Sequence, residues 1–237
     1  MSQYHNYVFD LYGTLIDIHT DESRPALWRT MAELYGRYGV LRTPDELRRE
    51  FLILEKAARD RVRSKLNTDY PEIRIEHIFL QLRDEACRHH EPEFRPDDDT
   101  WAQVMANVFR SLSTSRRRLF PDVIKTLTAL RERGDRVFLL SNAQRVFTMP
   151  EMESLGLVPL FDGIYISSDC GLCKPDPRFF RLLLDREELS PEETVMIGNE
   201  EPADMGIARA CGVRGVLFDG TTSPSDIRRQ YRALLSL

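Results

Sequence analysis

The chain has 237 residues, enough for one sizeable core or for a core domain carrying a smaller inserted one. Its 42% hydrophobic and 30% charged residues are those of an ordinary soluble globular protein, and a net charge of −5 gives no general pull toward nucleic acid or an anionic membrane. No apolar run approaches membrane-span length and the N-terminus lacks a signal-peptide pattern, so a cytosolic protein with a small-molecule substrate is expected.

Residues 5–15 read as a strand and a turn. The apolar run Val8-Phe9 breaks at Asp10, and Leu11-Tyr12-Gly13-Thr14 follows. A carboxylate at the end of a short buried strand points out of the C-terminal edge of the sheet, where open α/β sheets hold ligands. Gly13 lets the backbone turn sharply, and Thr14 places a hydroxyl and an amide near the same point. This suits a nucleophilic aspartate facing a phosphate or another good leaving group; an aspartate that only caps a turn looks the same locally.

From about residue 17 to 116 the pattern contains no convincing strand and several amphipathic helices. One covers 25–37, with Leu27, Met31 and Leu34 on one face. A second covers 44–62, with Leu47, Phe51, Leu54 and Ala58 at helical spacing, and others fall near 73–88 and 100–112. Polar turns punctuated by Pro44, Pro71 and Pro96 suggest a small bundle. His89-His90 reads as a solvated loop. Cys170-Gly-Leu-Cys173 has the spacing of half a zinc site or of a redox pair, but no second ligand pair follows it, so it and Cys87 and Cys211 read as reduced thiols.

After Phe120-Pro121 helix and strand alternate. Helices are predicted over 122–133, 177–188 and 203–211, and strands over 137–140, 164–166, 195–197 and 215–218. The whole predicts an α/β fold: a Rossmann-like parallel sheet core of residues 1–16 and 117–237, with a helical cap of residues 17–116 inserted after the first strand.

Three later strand ends carry polar residues able to converge on Asp10. Ser141-Asn142 offers a hydroxyl and an amide for anionic oxygens, although the pair also suits helix capping. Lys174 could neutralise an incoming anion and the charge of its transition state, or sit on the surface as most lysines do. Gly198-Asn199-Glu200-Glu201, with Asp204 beyond, could coordinate a hard cation such as Mg²⁺ or cap a helix N-terminus.

Taken in order, these residues resemble the four motifs of the haloacid dehalogenase-like (HAD) hydrolases. Asp10-Leu-Tyr-Gly-Thr14 is similar to the first, Ser141-Asn142 to the second, Lys174-Pro175 to the third, and Gly198 to Asp204 to the fourth. The resemblance implies attack by Asp10, a covalent aspartyl intermediate hydrolysed by water, and Thr14, Ser141, Asn142 and Lys174 as its catalytic neighbours. It also implies Mg²⁺ held by Asp10, the Tyr12 carbonyl, Asn199 and Asp204.

Two positions depart from the phosphatase pattern. Tyr12 stands where phosphatases carry an aspartate as general acid and base, and a phenol near pKa ~10 protonates a leaving alkoxide less readily. Asn199 stands where a metal-binding aspartate is usual, which keeps an oxygen ligand and removes a charge. Tyrosine at that position resembles the metal-free 2-haloacid dehalogenases, and Leu27-Trp28-Arg29 is similar to their substrate-holding arginine segment. The acids Glu200 and Glu201 argue instead for a cation nearby. A metal-assisted phosphatase-like hydrolase is therefore expected, with a dehalogenase or a weakly catalytic phosphometabolite-binding protein as alternatives. Asp17 or Asp21, at the hinge into the cap, could supply the missing acid or could simply be solvated and cap the first helix.

Overall fold

The structure, a computed structural model, describes residues 4–86 and 97–237. Cys87, His89-His90 and the expected end of the third cap helix lie outside those residues. Five parallel strands form the main sheet: β1 (Asn6–Phe9), β4 (Arg136–Ser141), β5 (Gly163–Ile166), β6 (Thr194–Gly198) and β7 (Arg214–Leu217). Their order is β5-β4-β1-β6-β7, with β1 central. The strand residues alternate between two apolar layers, as a period of two requires. Tyr7, Phe9, Val137, Leu139, Val195 and Ile197 pack on one face, and Val8, Phe138, Leu140 and Met196 on the other.

The first face is covered by α5 (Val123–Glu132) and α10 (Pro224–Leu234), through Leu127, Leu130, Ile227 and Tyr231. The second is covered by α8 (Pro177–Glu187) and α9 (Gly206–Ala210), through Phe179, Phe180, Leu183 and Ile207. The connection after β1 runs to β4 on one side and the chain later reaches β6 on the other. The order therefore reverses beside β1, and such a switch point opens a crevice at the strands' C-terminal ends.

Between β1 and α5 the described residues form four helices: α1 (Pro25–Gly36), α2 (Pro44–Leu66), α3 (Ile75–Ala86) and α4 (Asp98–Ser113). They bury an apolar cluster of their own, centred on Trp28, Phe51, Phe79 and Phe109. The ring centroids of Trp28 and Phe51 are 5.3 Å apart, and those of Phe51 and Phe109 5.5 Å. The start of α2 is set by a capping box in which Thr43 and Glu46 bond reciprocally, with Pro44 in the first turn.

The expectation of no strand over residues 17–116 is corrected. β2 (Ile16–Thr20) pairs antiparallel with β3 (Thr114–Leu119), so the chain leaves and re-enters the core through a two-stranded ribbon. The expected boundaries at 17 and 116 fall inside it. The ribbon is half solvated, so Thr114-Ser-Arg-Arg-Arg-Leu119 carries no hydrophobic alternation to reveal it. Two further helices have no counterpart in the sequence reading: α10 and α6 (Arg145–Ser154), which follows β4 and contains Pro150. The short α7 (Ser167–Cys170) closes β5. None of the described helices is long and apolar enough to cross a membrane.

Candidate active site

Asp10 follows the last residue of β1, and its amide donates to the Ile197 carbonyl of β6, which holds it between two strand ends. The chain then folds back on itself. The amides of Leu15 and Ile16 donate to the Leu11 carbonyl at 2.7 and 2.9 Å, with Gly13 at φ +84°. The turn is braced from α10, where the buried Tyr231 hydroxyl donates to the Thr14 carbonyl.

Lys174 lies on the loop after β5 and α7, 4% exposed, with a cis peptide bond to Pro175. An ammonium has three donors, and all three are used. Nζ donates to Asp10 Oδ1 at 2.7 Å, to Asp204 Oδ1 at 2.6 Å and to the Leu140 carbonyl at 2.9 Å. Burial pulls the Lys174 ammonium down, but the two carboxylates outweigh it and hold the group above its ordinary range. Burial pushes Asp10 up, Lys174 opposes the shift and the charge of Asp204 adds to it, so the nucleophile candidate keeps a raised proton affinity.

The other oxygens are equally specific. Asp10 Oδ1 also accepts from Ser141 Oγ at 3.4 Å, while Oδ2 accepts from Thr14 Oγ1 at 3.3 Å. The second oxygen of Asp204 accepts from the Glu200 amide at 3.0 Å. Gly198 permits this approach, since a Cβ there would stand 2.2 Å from Asp204 Oδ2.

Of the residues singled out in the sequence, the structure brings Asp10, Thr14, Ser141, Lys174, Asn199 and Asp204 together. Asn142 is adjacent but differently employed. Its amide oxygen accepts from the Lys174 amide at 2.7 Å and its NH₂ donates to the Lys174 carbonyl at 3.0 Å, so it braces the lysine loop rather than offering itself to an anion. Asp204 likewise has both oxygens engaged, one by Lys174. Glu200 and Glu201 are exposed, and Glu201 pairs with Arg209.

The fit of the site to a hard cation rests on one hydroxyl. Thr14 Oγ1 stands 3.3 Å from Asp10 Oδ2 and 3.1 Å from Asn199 Oδ1. A hydroxyl has one proton, so one of these two oxygen acceptors is left with its demand unmet. Converging hard oxygens of this kind are the donor set Mg²⁺ takes, here with one carboxylate rather than two. The residues fit such an ion. No group of three or more His, Cys, Asp or Glu side chains among the described residues is placed to hold a metal, so the donor set here depends on the amide, hydroxyl and carbonyl oxygens beside Asp10. Cys170, Cys173 and Cys211 are free thiols, and burial followed by the neighbouring Glu72 pushes Cys173 up to about 12.

Sequence reasoning missed the surroundings of Tyr12. Its hydroxyl donates to Glu151 Oε2 at 2.5 Å and lies 3.2 Å from Thr148 Oγ1, both on α6. Glu151, 2% exposed, also accepts from Arg110 Nε of α4 at 2.7 Å, and the Arg110 guanidinium lies 5.3 Å from the Tyr12 ring centroid. Burial and Glu151 together push the phenol well above its usual range. Nothing in the local pattern of α6 announced a buried acid.

A cleft of about 320 Å³ lies between the helical block and the sheet edge. Tyr12 and Asn142 line its core side, and Glu22, Glu55, Arg59 and Arg110 its helical side. Arg29, the residue similar to a dehalogenase's substrate-holding arginine, is exposed on α1 and does not line this cleft.

With the fold and the site's geometry established, the chain belongs to the haloacid dehalogenase-like hydrolases, whose family model matches residues 4–212. A phosphoserine phosphatase from Thermus thermophilus is 36% identical over 113 residues, 47% of this chain and 45% of that one. The (S)-2-haloacid dehalogenase 4A of Burkholderia cepacia is 24% identical over 222 residues, 92% of this chain and 84% of that one. The chain spans about half the length of several curated phosphatases it matches. A solved HAD phosphatase from Thermococcus onnurineus shares the fold with a TM-score of 0.56 at 20% identity, over 92% of this chain and 87% of that one.

Proposed function

We propose that the chain is a phosphatase-like hydrolase of small phosphorylated metabolites in the cytosol, with Asp10 as nucleophile. The observation that carries this reading is the buried Asp10–Lys174–Asp204 clamp beneath the Thr14 and Ser141 hydroxyls. It holds one carboxylate at the switch point, with a fixed positive charge beside it to offset an incoming dianion. Residues 17–116 would act as the cap, which is supported by their separate apolar cluster, and residues 1–16 and 117–237 as the catalytic core.

In this reading an Asp10 oxygen attacks phosphorus, the bond to the leaving oxygen breaks, and water then attacks phosphorus to return the Asp10 carboxylate. Lys174 opposes the protonation that burial favours at Asp10 and aims its carboxylate, Thr14 and Ser141 orient its two oxygens, and Asn142 fixes the lysine loop. Asp10, the Tyr12 carbonyl and Asn199 would hold Mg²⁺, which when bound neutralises charge on the phosphoryl oxygens. Asp204, whose oxygens are already engaged, is assigned to positioning Lys174 instead of ligating the ion.

The second reading, a metal-free dehalogenase, is favoured by Tyr12 and by the near full-length likeness to the Burkholderia enzyme. The exposed position of Arg29 weighs against it. Hydrolysis of an aryl phosphate with and without Mg²⁺ separates the two. Metal-dependent turnover that disappears in Asp10→Asn is the expected result. Chloride release from a 2-chloro acid without metal would establish the alternative, and ligand binding without turnover of either would establish a binding protein.

A further inference from the structure

The phosphatase reading needs a proton for the leaving oxygen, and the residues expected to supply one are otherwise engaged. Tyr12 donates its phenolic proton to Glu151 of α6. Asp17 is held between Arg116 Nε and Arg118 Nε of the ribbon, each at 2.9 Å. Asp21 folds back on Ser23, accepting from its amide at 2.9 Å and its hydroxyl at 2.6 Å, and these bonds keep its carboxyl below the usual range. The expectation that Asp17 or Asp21 provides the acid is therefore not supported by their placement.

The next residue is exposed too, but it is placed differently. Glu22 follows the ribbon directly and lines the cleft opposite Tyr12 and Asn142. These two are the chain neighbours of the site, since Tyr12 lies two residues past Asp10 and Asn142 follows Ser141, whose hydroxyl bonds Asp10. The Glu22 backbone is pinned, because Trp28 Nε1 donates to its carbonyl at 2.7 Å. Its carboxylate, by contrast, takes no hydrogen bond or ion pair among the described residues.

The two cations that face it are committed elsewhere. Arg110 of α4 is bonded to Glu151, and Arg59 of α2 is bonded to Glu55 and Glu72. Both cations on the cap side of the cleft are thus already paired, and Glu22 is a further acid without a cation of its own. Glu22 is exposed as a whole residue, but the cleft walls take some solvent from its carboxyl; that partial desolvation raises the carboxyl, Arg110 and Arg59 oppose the shift without cancelling it, and Glu55 adds to it. A carboxyl in that state holds its proton more tightly than a freely solvated glutamate does.

We propose that Glu22, carried by the cap side of the hinge, is the general acid and base of this site, in place of the aspartate that Tyr12 displaces. This rests on the hydrolase reading above. As Asp10 attacks phosphorus, the P–O bond to the leaving group breaks, its electron pair stays on that oxygen, and the Glu22 carboxyl transfers its proton to it to give the alcohol. The Glu22 carboxylate then takes a proton from water as the water oxygen attacks phosphorus. The bond from phosphorus to Asp10 breaks with its electron pair returning to the carboxylate, which leaves phosphate and a reprotonated Glu22.

The test is Glu22→Gln in the full chain with Mg²⁺, assayed on 4-nitrophenyl phosphate and on a simple alkyl phosphate. Nitrophenolate leaves without protonation, whereas an alkoxide does not. The variant should lose on the order of 100-fold in kcat/KM for the alkyl ester and less than about threefold for the aryl ester. It should also release about one equivalent of nitrophenolate per site in a burst and then slow, because the second proton transfer is lost. Equal losses on both esters would make Glu22 a binding group, and no loss on either would remove it from the reaction; both results overturn the proposal. An inactive wild-type chain would overturn the hydrolase reading and this inference together, whereas an active wild type with an indifferent variant overturns this inference alone.

Discussion

The three N–H donors of Lys174 leave little freedom at the heart of the site. Each is matched to one acceptor, two of them carboxylates, and the third carbonyl belongs to the strand that ends in Ser141. The clamp depends on a residue with no side chain. With 2.2 Å between a Cβ at position 198 and Asp204 Oδ2, Gly198→Ala must push Asp204 away from Lys174. We expect this variant to lose at least about tenfold in kcat/KM and about 1–3 kcal/mol in urea unfolding. Unchanged values for both would show that Asp204 is not needed to hold the lysine. Asp10, Ser141 and the Gly198 loop were legible because each ends or follows an apolar run, where a polar residue stands out, and Lys174 because it sits on the glycine-containing loop after a strand. Glu151 and Glu72 were not, because an acid on or beside an amphipathic helix looks solvated until its neighbours are known.

Among the elements, the ribbon of β2 and β3 and the helix α6 add most to the sequence reading. The ribbon carries three consecutive arginines, two of which grip Asp17 while Arg117 stands 3.7 Å from Glu151. Such half-exposed pairs contribute little singly. Asp17→Asn should therefore cost under about 1 kcal/mol in stability and leave turnover within about twofold. A tenfold loss would return Asp17 to the chemistry. Helix α6 belongs by its position to the sheet side of the molecule, yet its Phe147 packs into the helical block's apolar cluster and its Glu151 holds Arg110 of α4. It escaped detection because Pro150 lies inside it and its apolar residues face two different partners.

For the molecule as a whole, two apolar clusters flank one sheet and a third fills the cap, and polar contacts tie the parts together. One tie lies at the end of α2. Thr68 Oγ1 donates to Asp176 Oδ2 at 2.7 Å, and Arg178, bonded to Asp176, also donates to the Leu66 and Asn67 carbonyls. Asp176 caps α8 through the Arg178 amide as well. The Arg178 side chain first, then Thr68, hold the Asp176 carboxyl down to about 2 from an ordinary 3.8, against the opposing effect of burial. For a depressed carboxylate the stabilisation is present above the unfolded value and disappears as pH falls through the folded one. Wild type should therefore exceed Asp176→Asn in stability by on the order of 1–2 kcal/mol at pH 7, with the gap closing between about pH 4 and pH 2. A gap independent of pH would assign the effect to packing. By itself the sequence determined the five strands of the main sheet, the order of the strand-end motifs and the insertion of a helical block after β1, because apolar periodicity and glycine-marked turns are local properties of the chain. Only the tertiary structure decided that Tyr12 faces Glu151, that Asp204 serves Lys174 and that Glu22 stands unpaired in the cleft, because a carboxylate's role depends on which charges the fold brings within a few ångströms of it.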